Sequence, residues 1–184
     1  MNRLKIPVSR ADHAQGRDDA RVVLVEYGDY QCPYCGAAAP IVKRLQAALG
    51  ADLKFVFRNF PLTEAHPDAL NAAKAAEAAA ARGKFWQMHD MLYENQIDLS
   101  TSALIGYAGQ LGLDGDEFER DVGDPRTFER IEKDFEGGVR SGVNGTPGFF
   151  VDGVRYDGDW GYDTFVRVLM QRARSVRAQG FEPR

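Results

Sequence analysis

Two cysteines separated by two residues, Cys32 and Cys35, are the residues of this sequence best suited to chemistry. Pro33 follows the first cysteine, and proline favours the first position of a helix, so Cys32 is predicted to be the N-cap. There its sulfur faces unpaired backbone N–H groups and the positive end of the helix dipole, and we expect a lowered pKa. Cys35, one turn into the helix, is expected to be less exposed. The spacing therefore predicts an attacking thiol, Cys32, and a resolving thiol, Cys35.

A carboxyl group near the cysteines is the candidate proton acceptor. Glu26 precedes Cys32 by six residues, on the same face of a predicted strand as two apolar residues. Apolar surroundings raise the pKa of a carboxyl group, which suits a general base acting on Cys35. The alternative is a carboxylate at the end of the strand that faces solvent. His66 and Trp86 are interpreted as structural residues.

The pair of cysteines is predicted to lie between a strand that precedes it and a helix that begins at Cys32. Residues 22–27 are almost all apolar, which predicts a buried strand that Gly28 ends. Apolar residues at helical spacing follow as far as Gly50, and residues 53–57 then alternate as a second strand. A strand, helix and strand with a short return form a βαβ unit, so we predict parallel strands. A short edge strand is also expected at residues 6–8.

The middle of the chain is predicted to be helical. An alanine-rich run covers residues 67–82, and segments with helical spacing continue to residue 137. Strands return at residues 149–151 and 154–156, joined by Asp152-Gly153, a strong signal for a two-residue hairpin. A last amphipathic helix follows. This order predicts an α/β core formed by residues 1–64 and 138–184, with a helical insertion over residues 65–137.

Composition limits the class of function. The chain has 184 residues, of which 44% are apolar and 27% charged, and a formal net charge of −4, as is typical of a soluble globular protein. The distribution of charge predicts neither a nucleic acid nor a membrane as a partner. No apolar run has the length of a membrane span, and residues 1–20 lack the apolar segment of a signal peptide. We therefore expect a cytoplasmic protein, or a periplasmic one if a signal has been removed.

Metal binding is a weaker interpretation of the two cysteines. A structural zinc site needs four ligands, and beyond the cysteines only His13, His66 and His89 would help to supply them. Since neither a second C-x-x-C motif nor a pair of histidines is present, we expect no metal. Two inert buried cysteines are the remaining alternative. A disulfide that closes so short a loop hardly constrains the unfolded chain, so redox chemistry is favoured over a stabilising crosslink.

Two segments resemble the DsbA-like thiol–disulfide oxidoreductases. Residues 23–35, VLVEYGDYQCPYC, are similar to that family's active-site strand and turn. Residues 142–153, GVNGTPGFFVDG, are similar to its cis-proline loop and the hairpin after it, and residues 66–95 to its inserted helices. The resemblance implies a thioredoxin fold with an inserted α-helical domain.

The resemblance also implies roles for individual residues. Pro147 would be cis and would pack beside the cysteines, and the backbone of Thr146 would pair with an extended substrate. Glu26 matches the acidic residue that the family places under the cysteines. Pro33 and Tyr34 are the other candidate substrate-binding residues. Strongly oxidising members carry Pro-His between the cysteines, whereas Pro-Tyr is similar to glutaredoxins, so we predict a weaker oxidant.

The predicted reaction is dithiol–disulfide exchange with protein or small-molecule thiols and disulfides. It needs no metal or organic cofactor, and glutathione or a reductase would recycle the pair. One alternative is a disulfide oxidase or isomerase of the periplasmic type, and another is a non-catalytic module whose thiolates hold zinc or copper(I). A glutathione-dependent isomerase or transferase of this fold is disfavoured by Cys35. Similar modules occur alone and fused to membrane transporters, and we expect the stand-alone kind.

Overall fold

The structure is a computed structural model that describes residues 2–179, with side chains for residues 2–176. Within this range the chain forms one five-stranded sheet and seven α-helices. The strands are β1 (His13–Gln15), β2 (Val22–Gly28), β3 (Leu53–Asn59), β4 (Gly148–Val151) and β5 (Val154–Tyr156). The helices are α1 (Pro33–Leu49), α2 (Ala69–Ala81), α3 (Phe85–Glu94), α4 (Thr101–Gln110), α5 (Gly115–Gly123), α6 (Pro125–Arg140) and α7 (Tyr162–Gln179).

Strand β2 lies at the centre of the sheet. The strand order is β1-β3-β2-β4-β5, and β2 pairs with β3 in parallel, as predicted, while the other pairs are antiparallel. A central strand is covered on both faces, which explains why β2 is almost wholly apolar. The register places Glu26 between Phe57 of β3 and Phe149 of β4. The only carboxyl group of β2 therefore enters the core under the end of the strand that leads to the cysteines.

The edge strand predicted at residues 6–8 is wrong. The strand at that edge is β1, whose His13 lies opposite Phe57. Pro7 has no N–H to donate to a ladder, and the carbonyl groups of Ile6 and Pro7 accept instead from the guanidinium group of Arg58, at 2.9 and 3.2 Å. The buried guanidinium group of Arg58 thus binds two carbonyl groups that would otherwise be available for hydrogen bonds to a neighbouring strand.

The two faces of β2 pack against different elements. Val22 and Leu24 belong to a large apolar core shared with α1, α3 and α7, and Glu26 lies on this face by the alternation of a strand. Val25 and Tyr27 face a smaller apolar cluster that includes Phe135 of α6. The active-site helix α1 therefore lies over the same face of the sheet as Glu26.

The helices α2 to α6 lie between β3 and β4 in the chain and are joined to the sheet by polar contacts. Glu77 of α2 contacts His13 at 2.9 Å and accepts from the side chain of Asn59 at 2.7 Å. Asp134 of α6 accepts from the backbone N–H of Asn59 at 3.2 Å. The α/β class with inserted helices is confirmed, while the division into 1–64 with 138–184 and 65–137 stays a prediction. Among the described helices, none has both the length and the apolar content needed to cross a bilayer.

Two turns that the sequence predicted are present. Helix α1 ends at Leu49, and its C-cap Gly50 adopts φ +53°, a positive value that favours glycine. Asp152 and Gly153 have φ values of +48° and +75°, as the type I′ hairpin between β4 and β5 requires. The hairpin fixes β4 beside β2, and the loop before β4 thereby comes to lie next to the cysteines.

Candidate active site

The cysteines lie at the start of α1. Cys32 is the N-cap, Pro33 takes the first helical position, and the carbonyl of Cys32 accepts from the N–H of Gly36 at 3.1 Å. Both cysteines are unpaired and buried, Cys32 with 3% of its surface exposed and Cys35 with none. The placement predicted for the two sulfurs, with Cys35 as the less exposed, agrees with the structure.

The environment of Cys32 favours its thiolate. Hydrogen bonding from the Cys35 thiol is the largest cause, and with contributions from Thr146 and from the backbone N–H groups of Cys35 and Tyr34 it lowers the pKa of Cys32 to about 5, against the opposing effect of burial. The direction agrees with the expectation from sequence, but the neighbouring thiol has a larger effect than the helix N-terminus. At neutral pH Cys32 is therefore ionised and nucleophilic.

The environment of Cys35 has the opposite effect. Burial raises the pKa of Cys35 well above its ordinary value, and the hydrogen bond to Cys32 and the charge of Glu26 raise it further. The backbone N–H of Asp29 donates to Sγ of Cys35 at 3.5 Å and favours the thiolate. Cys35 thus holds its proton until an acceptor takes it, which keeps the two thiols distinct in reactivity.

Glu26 is buried below the cysteines and is a suitable acceptor. It is 2% exposed, and its Oε1 has no hydrogen-bond partner among the described residues. Burial, with a smaller effect of the charge on Cys32, raises the pKa of Glu26 to about 8. A cavity of about 230 Å³ reaches Glu26 between α1 and α3; it is lined by residues that include Lys43, Trp86 and Asp90. A carboxyl group that titrates near neutrality can both accept and release a proton during turnover.

The loop before β4 lies against Cys32. The Sγ of Cys32 lies 3.4 Å from the carbonyl oxygen of Thr146, to which it donates only while it is protonated, and the peptide bond between Thr146 and Pro147 is cis. Both loop residues are half-buried, whereas Pro33 is exposed and Tyr34 is 67% exposed. The structure thus brings Cys32, Cys35 and Thr146 together and leaves Pro33 and Tyr34, which adjoin Cys32 in the chain, exposed.

Gln96 is a site residue that the sequence did not indicate. Its Nε2 donates to the carbonyl groups of Tyr30 and Cys32, at 2.7 and 2.9 Å, although it lies in the loop after α3. A Cβ on Gly36 would lie 1.9 Å from Oε1 of Gln96, so the glycine makes room for this contact. No spacing or motif relates Gln96 to the cysteines, because only the packing of α3 on α1 brings them together.

Asp29 is the second site residue that the sequence did not indicate. Its carboxylate contacts the ring of His66 at 2.8 Å, and its backbone N–H contacts Cys35.

His89 is buried among aromatic rings and contacts Tyr30 Oη at 3.1 Å, and burial lowers the pKa of His89 to about 3. His89 is therefore neutral. Trp86 packs between Phe55 and Phe85, as expected of a structural residue.

Comparison with known families identifies the chain. A family model described as Thioredoxin matches residues 9–171. This chain belongs to the thioredoxin family. Its helices between β3 and β4 give it the DsbA-like form of the fold. A thioredoxin-like oxidoreductase from Silicibacter pomeroyi is 28% identical, with a TM-score of 0.80, and the match covers 91% of this chain and 94% of that one.

Further relatives differ in length. Oxidised BdbD from Bacillus subtilis shares the fold, with a TM-score of 0.83 at 23% identity over 94% of this thioredoxin-family chain and 98% of BdbD. The Na(+)/H(+) antiporter NhaA 1 of Salinispora arenicola is 45% identical over 95% of this chain, but the match covers only 27% of the antiporter. The chain spans about a quarter of the length of the curated relatives that it matches. The antiporter name belongs to those longer proteins, and the expectation of a stand-alone protein stays a prediction.

Proposed function

We propose that this thioredoxin-family chain is a thiol–disulfide oxidoreductase of the DsbA type. The observation that carries the proposal is the opposite tuning of two adjacent thiols. Local hydrogen bonds lower the pKa of Cys32 to about 5, while burial raises that of Cys35 well above its ordinary value. Two thiols with one role, such as a pair of metal ligands, have no need of such a difference. An attacking and a resolving thiol do.

The reaction that fits this geometry has two steps. The Cys32 thiolate attacks a substrate disulfide, forms a mixed disulfide and releases one substrate thiolate. The mixed disulfide has no charge on Cys32, which removes one cause of the raised pKa of Glu26, and Glu26 in its ionised form takes the proton of Cys35. The Cys35 thiolate then attacks Sγ of Cys32, which closes the Cys32–Cys35 disulfide and releases the second substrate thiolate. The substrate is reduced by two electrons and the protein is oxidised by two. The reverse sequence donates a disulfide to a dithiol.

The substrate would bind on the accessible side of Cys32. Thr146 and Pro147 would form one side of the binding site, and the exposed Pro33 and Tyr34 would form the other. An extended peptide beside Thr146 would pair with its backbone, in the manner of strand addition. A Tyr34 ring that is 67% exposed offers apolar area to such a peptide without displacing any other contact of the site.

Trapping of the mixed disulfide tests the proposal. The Cys35→Ala variant, mixed with glutathione disulfide, is expected to accumulate an adduct at Cys32 that mass spectrometry detects on the intact protein, because no resolving thiol remains. The Cys32→Ser variant is expected to keep its circular dichroism spectrum and to lose turnover. A Cys35→Ala protein that never forms the adduct would contradict the proposal, as would full activity of Cys32→Ser.

The direction of electron flow depends on the reduction potential of the pair. Tyr34 in place of a histidine suggests a weaker oxidant, whereas stabilisation of the Cys32 thiolate favours the reduced form and a more oxidising couple. Equilibration in glutathione buffers distinguishes the two. A potential of roughly −200 to −230 mV would support a reductase that glutathione or a reductase partner recycles. A potential toward about −120 mV would support a disulfide donor and, with it, a periplasmic location instead of the cytoplasmic one.

A thiolate metal site is the second candidate function. Within residues 2–179 no group of three or more His, Cys, Asp or Glu side chains is placed to share an ion. Two thiolates alone are enough to hold copper(I), so metal analysis of protein purified without chelator is the check on this alternative. Stoichiometric zinc or copper with no reactivity toward glutathione disulfide would favour the binding module.

A further inference from the structure

The buried carboxylate of Asp29 holds two loops together beside the cysteines. The residue is 1% exposed, and its two oxygens accept from the backbone N–H groups of Gln31, at 2.8 Å, and Leu62, at 2.9 Å. The Nδ1 of His66 lies 2.8 Å from Oδ2 of the same carboxylate. Since a carboxylate can only accept, Nδ1 carries the proton of this bond. Asp29 thereby joins the loop between β2 and α1 to the loop between β3 and α2.

The backbone of Asp29 contacts both cysteines. Its N–H donates to Sγ of Cys35 at 3.5 Å, and its carbonyl accepts from the N–H of Cys32 at 3.2 Å. Hydrogen bonds to the charged form of a group favour that form. The N–H of Asp29 is thus a fixed dipole aimed at the sulfur on which negative charge develops when Cys35 loses its proton.

A second pair of residues reinforces the same junction. The backbone N–H of Asp68 donates to Oε1 of Gln31 at 2.7 Å, and Nε2 of Gln31 donates to the carboxylate of Asp68 at 3.0 Å. The contact of Leu62 with Asp29 and the contacts of Asp68 with Gln31 join the same two loops. In the chain, Leu62 lies before His66 and Asp68 lies after it. Loss of the His66 contact would therefore loosen the Asp29 segment without releasing the whole loop.

We propose that His66, acting through Asp29, is a positioning residue for the resolving step, the attack of Cys35 on a mixed disulfide at Cys32. The inference rests on the proposed function and assigns one residue to one of its two steps. A donor already fixed in place stabilises a developing thiolate without reorganisation. Without His66, the carboxylate loses one of its three donors, and the Asp29 N–H is held less firmly toward Cys35. The thiolate of Cys32 depends mainly on Cys35 and Thr146, so the attacking step is spared.

The test follows the two steps separately with glutathione disulfide as the probe. Rapid mixing with acid quench and mass spectrometry measures first the formation of the glutathione adduct at Cys32, and then its loss as the Cys32–Cys35 disulfide closes and glutathione is released. In His66→Gln the amide group is displaced from the position of Nδ1, whereas in His66→Asn the amide nitrogen occupies it. Glu64→Ala, an exposed position of the same loop, is the matched control.

The proposal expects His66→Gln to form the adduct at the wild-type rate and to resolve it about five- to tenfold more slowly, the effect of one lost hydrogen bond. His66→Asn and Glu64→Ala are expected to resolve it at close to the wild-type rate. Resolution by His66→Gln as fast as by the wild type would overturn the inference, and so would an equal slowing of both steps. If the Cys35→Ala variant forms no adduct at all, the proposed function fails instead, so the two failures are distinguishable.

Discussion

At the scale of single residues, Cys32, Cys35 and Glu26 titrate as one unit. The charge on Cys32 raises the pKa of Glu26, the charge on Glu26 raises that of Cys35, and the Cys35 thiol lowers that of Cys32. Each group therefore responds to the ionisation of the others, and a change at one must appear in the titration of its neighbours. This coupling leads to two predictions.

Removal of the Cys35 thiol should raise the pKa of Cys32. Since the hydrogen bond from Cys35 is the largest cause of the low value, Cys35→Ala is expected to move the pKa from about 5 toward its ordinary value of 9.0. Cys35→Ser keeps a donor of similar size and is the matched control, with most of the lowering retained. The pH dependence of alkylation by iodoacetamide measures both. If the pKa of Cys32 stayed near 5 in both variants, the lowering would instead come from the helix N-terminus.

The ionisation of Glu26 should make stability depend on pH. Its pKa is about 8 in the folded protein and 4.5 in the unfolded chain, so between these values the folded state keeps a proton that the unfolded state has lost. Raising the pH through this window therefore reduces the contribution of Glu26 to stability by up to about 1.4 kcal/mol for each pH unit, against an opposite contribution from the lowered pKa of Cys32. Glu26→Gln cannot ionise, so its free energy of unfolding should lack this decline.

Urea unfolding of the reduced proteins across that window checks the prediction. Glu64→Gln, an exposed position, serves as the control and should follow the wild type. The comparison uses the slope of stability against pH, which is independent of the cost of burying an amide. Parallel curves for Glu26→Gln and the wild type would contradict the raised pKa of Glu26.

At the scale of elements, one buried ion pair attaches the segment before β2 to the sheet, in addition to the pairing of β1 with β3. The side chains of Arg58 on β3 and Asp12 are 2% and 6% exposed, and Nε of Arg58 lies 2.7 Å from Oδ1 of Asp12. The same guanidinium group donates to Tyr27 Oη at 3.0 Å and to the backbone of Ile6 and Pro7. The pair and its hydrogen bonds hold residues 6–12, which form no regular strand, against β3.

Asp12→Ala is expected to lower the free energy of unfolding by about 3–5 kcal/mol, because it leaves a buried guanidinium group without its counter-charge. Asp19→Ala removes an exposed partner of Arg17 in the same segment and should leave the free energy of unfolding nearly unchanged, because solvent screens the pair. Adding Arg58→Met to Asp12→Ala should cost less than the sum of the two single changes. Urea unfolding measures all four proteins. Similar costs for Asp12→Ala and Asp19→Ala would show that the buried pair does not hold the segment.

At the scale of the whole molecule, the free energy of unfolding should depend on whether the cysteines are reduced or oxidised. Folding lowers the pKa of Cys32 from 9.0 to about 5, which stabilises the reduced protein. A lowered pKa contributes stability that is complete above the unfolded value and is lost as the pH falls through the folded value. The oxidised protein has no thiolate and gains nothing from this effect.

The reduced protein is therefore expected to unfold at higher urea concentration than the oxidised protein at neutral pH. The difference should shrink as the pH falls from about 9 to about 5, by at most about 1.4 kcal/mol for each unit. Urea unfolding with and without a reducing agent measures it, and Cys32→Ser, which lacks the thiolate, is the control that should show no such pH dependence. An oxidised form that is the more stable at all pH values would contradict the prediction.

Much of the fold was predictable because local rules fix it. The apolar run of β2, the proline after Cys32, Gly50 at the end of α1 and the Asp152-Gly153 turn each have a structural consequence within a few residues. The edge strand failed because a contact distant in the chain, with Arg58, decided it. The strand propensity of residues 6–8 does not show that the distant side chain of Arg58 binds their carbonyl groups.

By itself, the sequence determined the thioredoxin core with its inserted helices, the two sulfurs at the start of α1, and the carboxyl group beneath them. Only the tertiary structure decided which residues act on those sulfurs. Gln96, Asp29 and His66 come from three different loops, and the Cys35 thiol outweighs the helix N-terminus in its effect on Cys32. The physical reason is that hydrogen bonds act over about 3 Å, and residues far apart in the chain reach that distance only when the helices pack on the sheet.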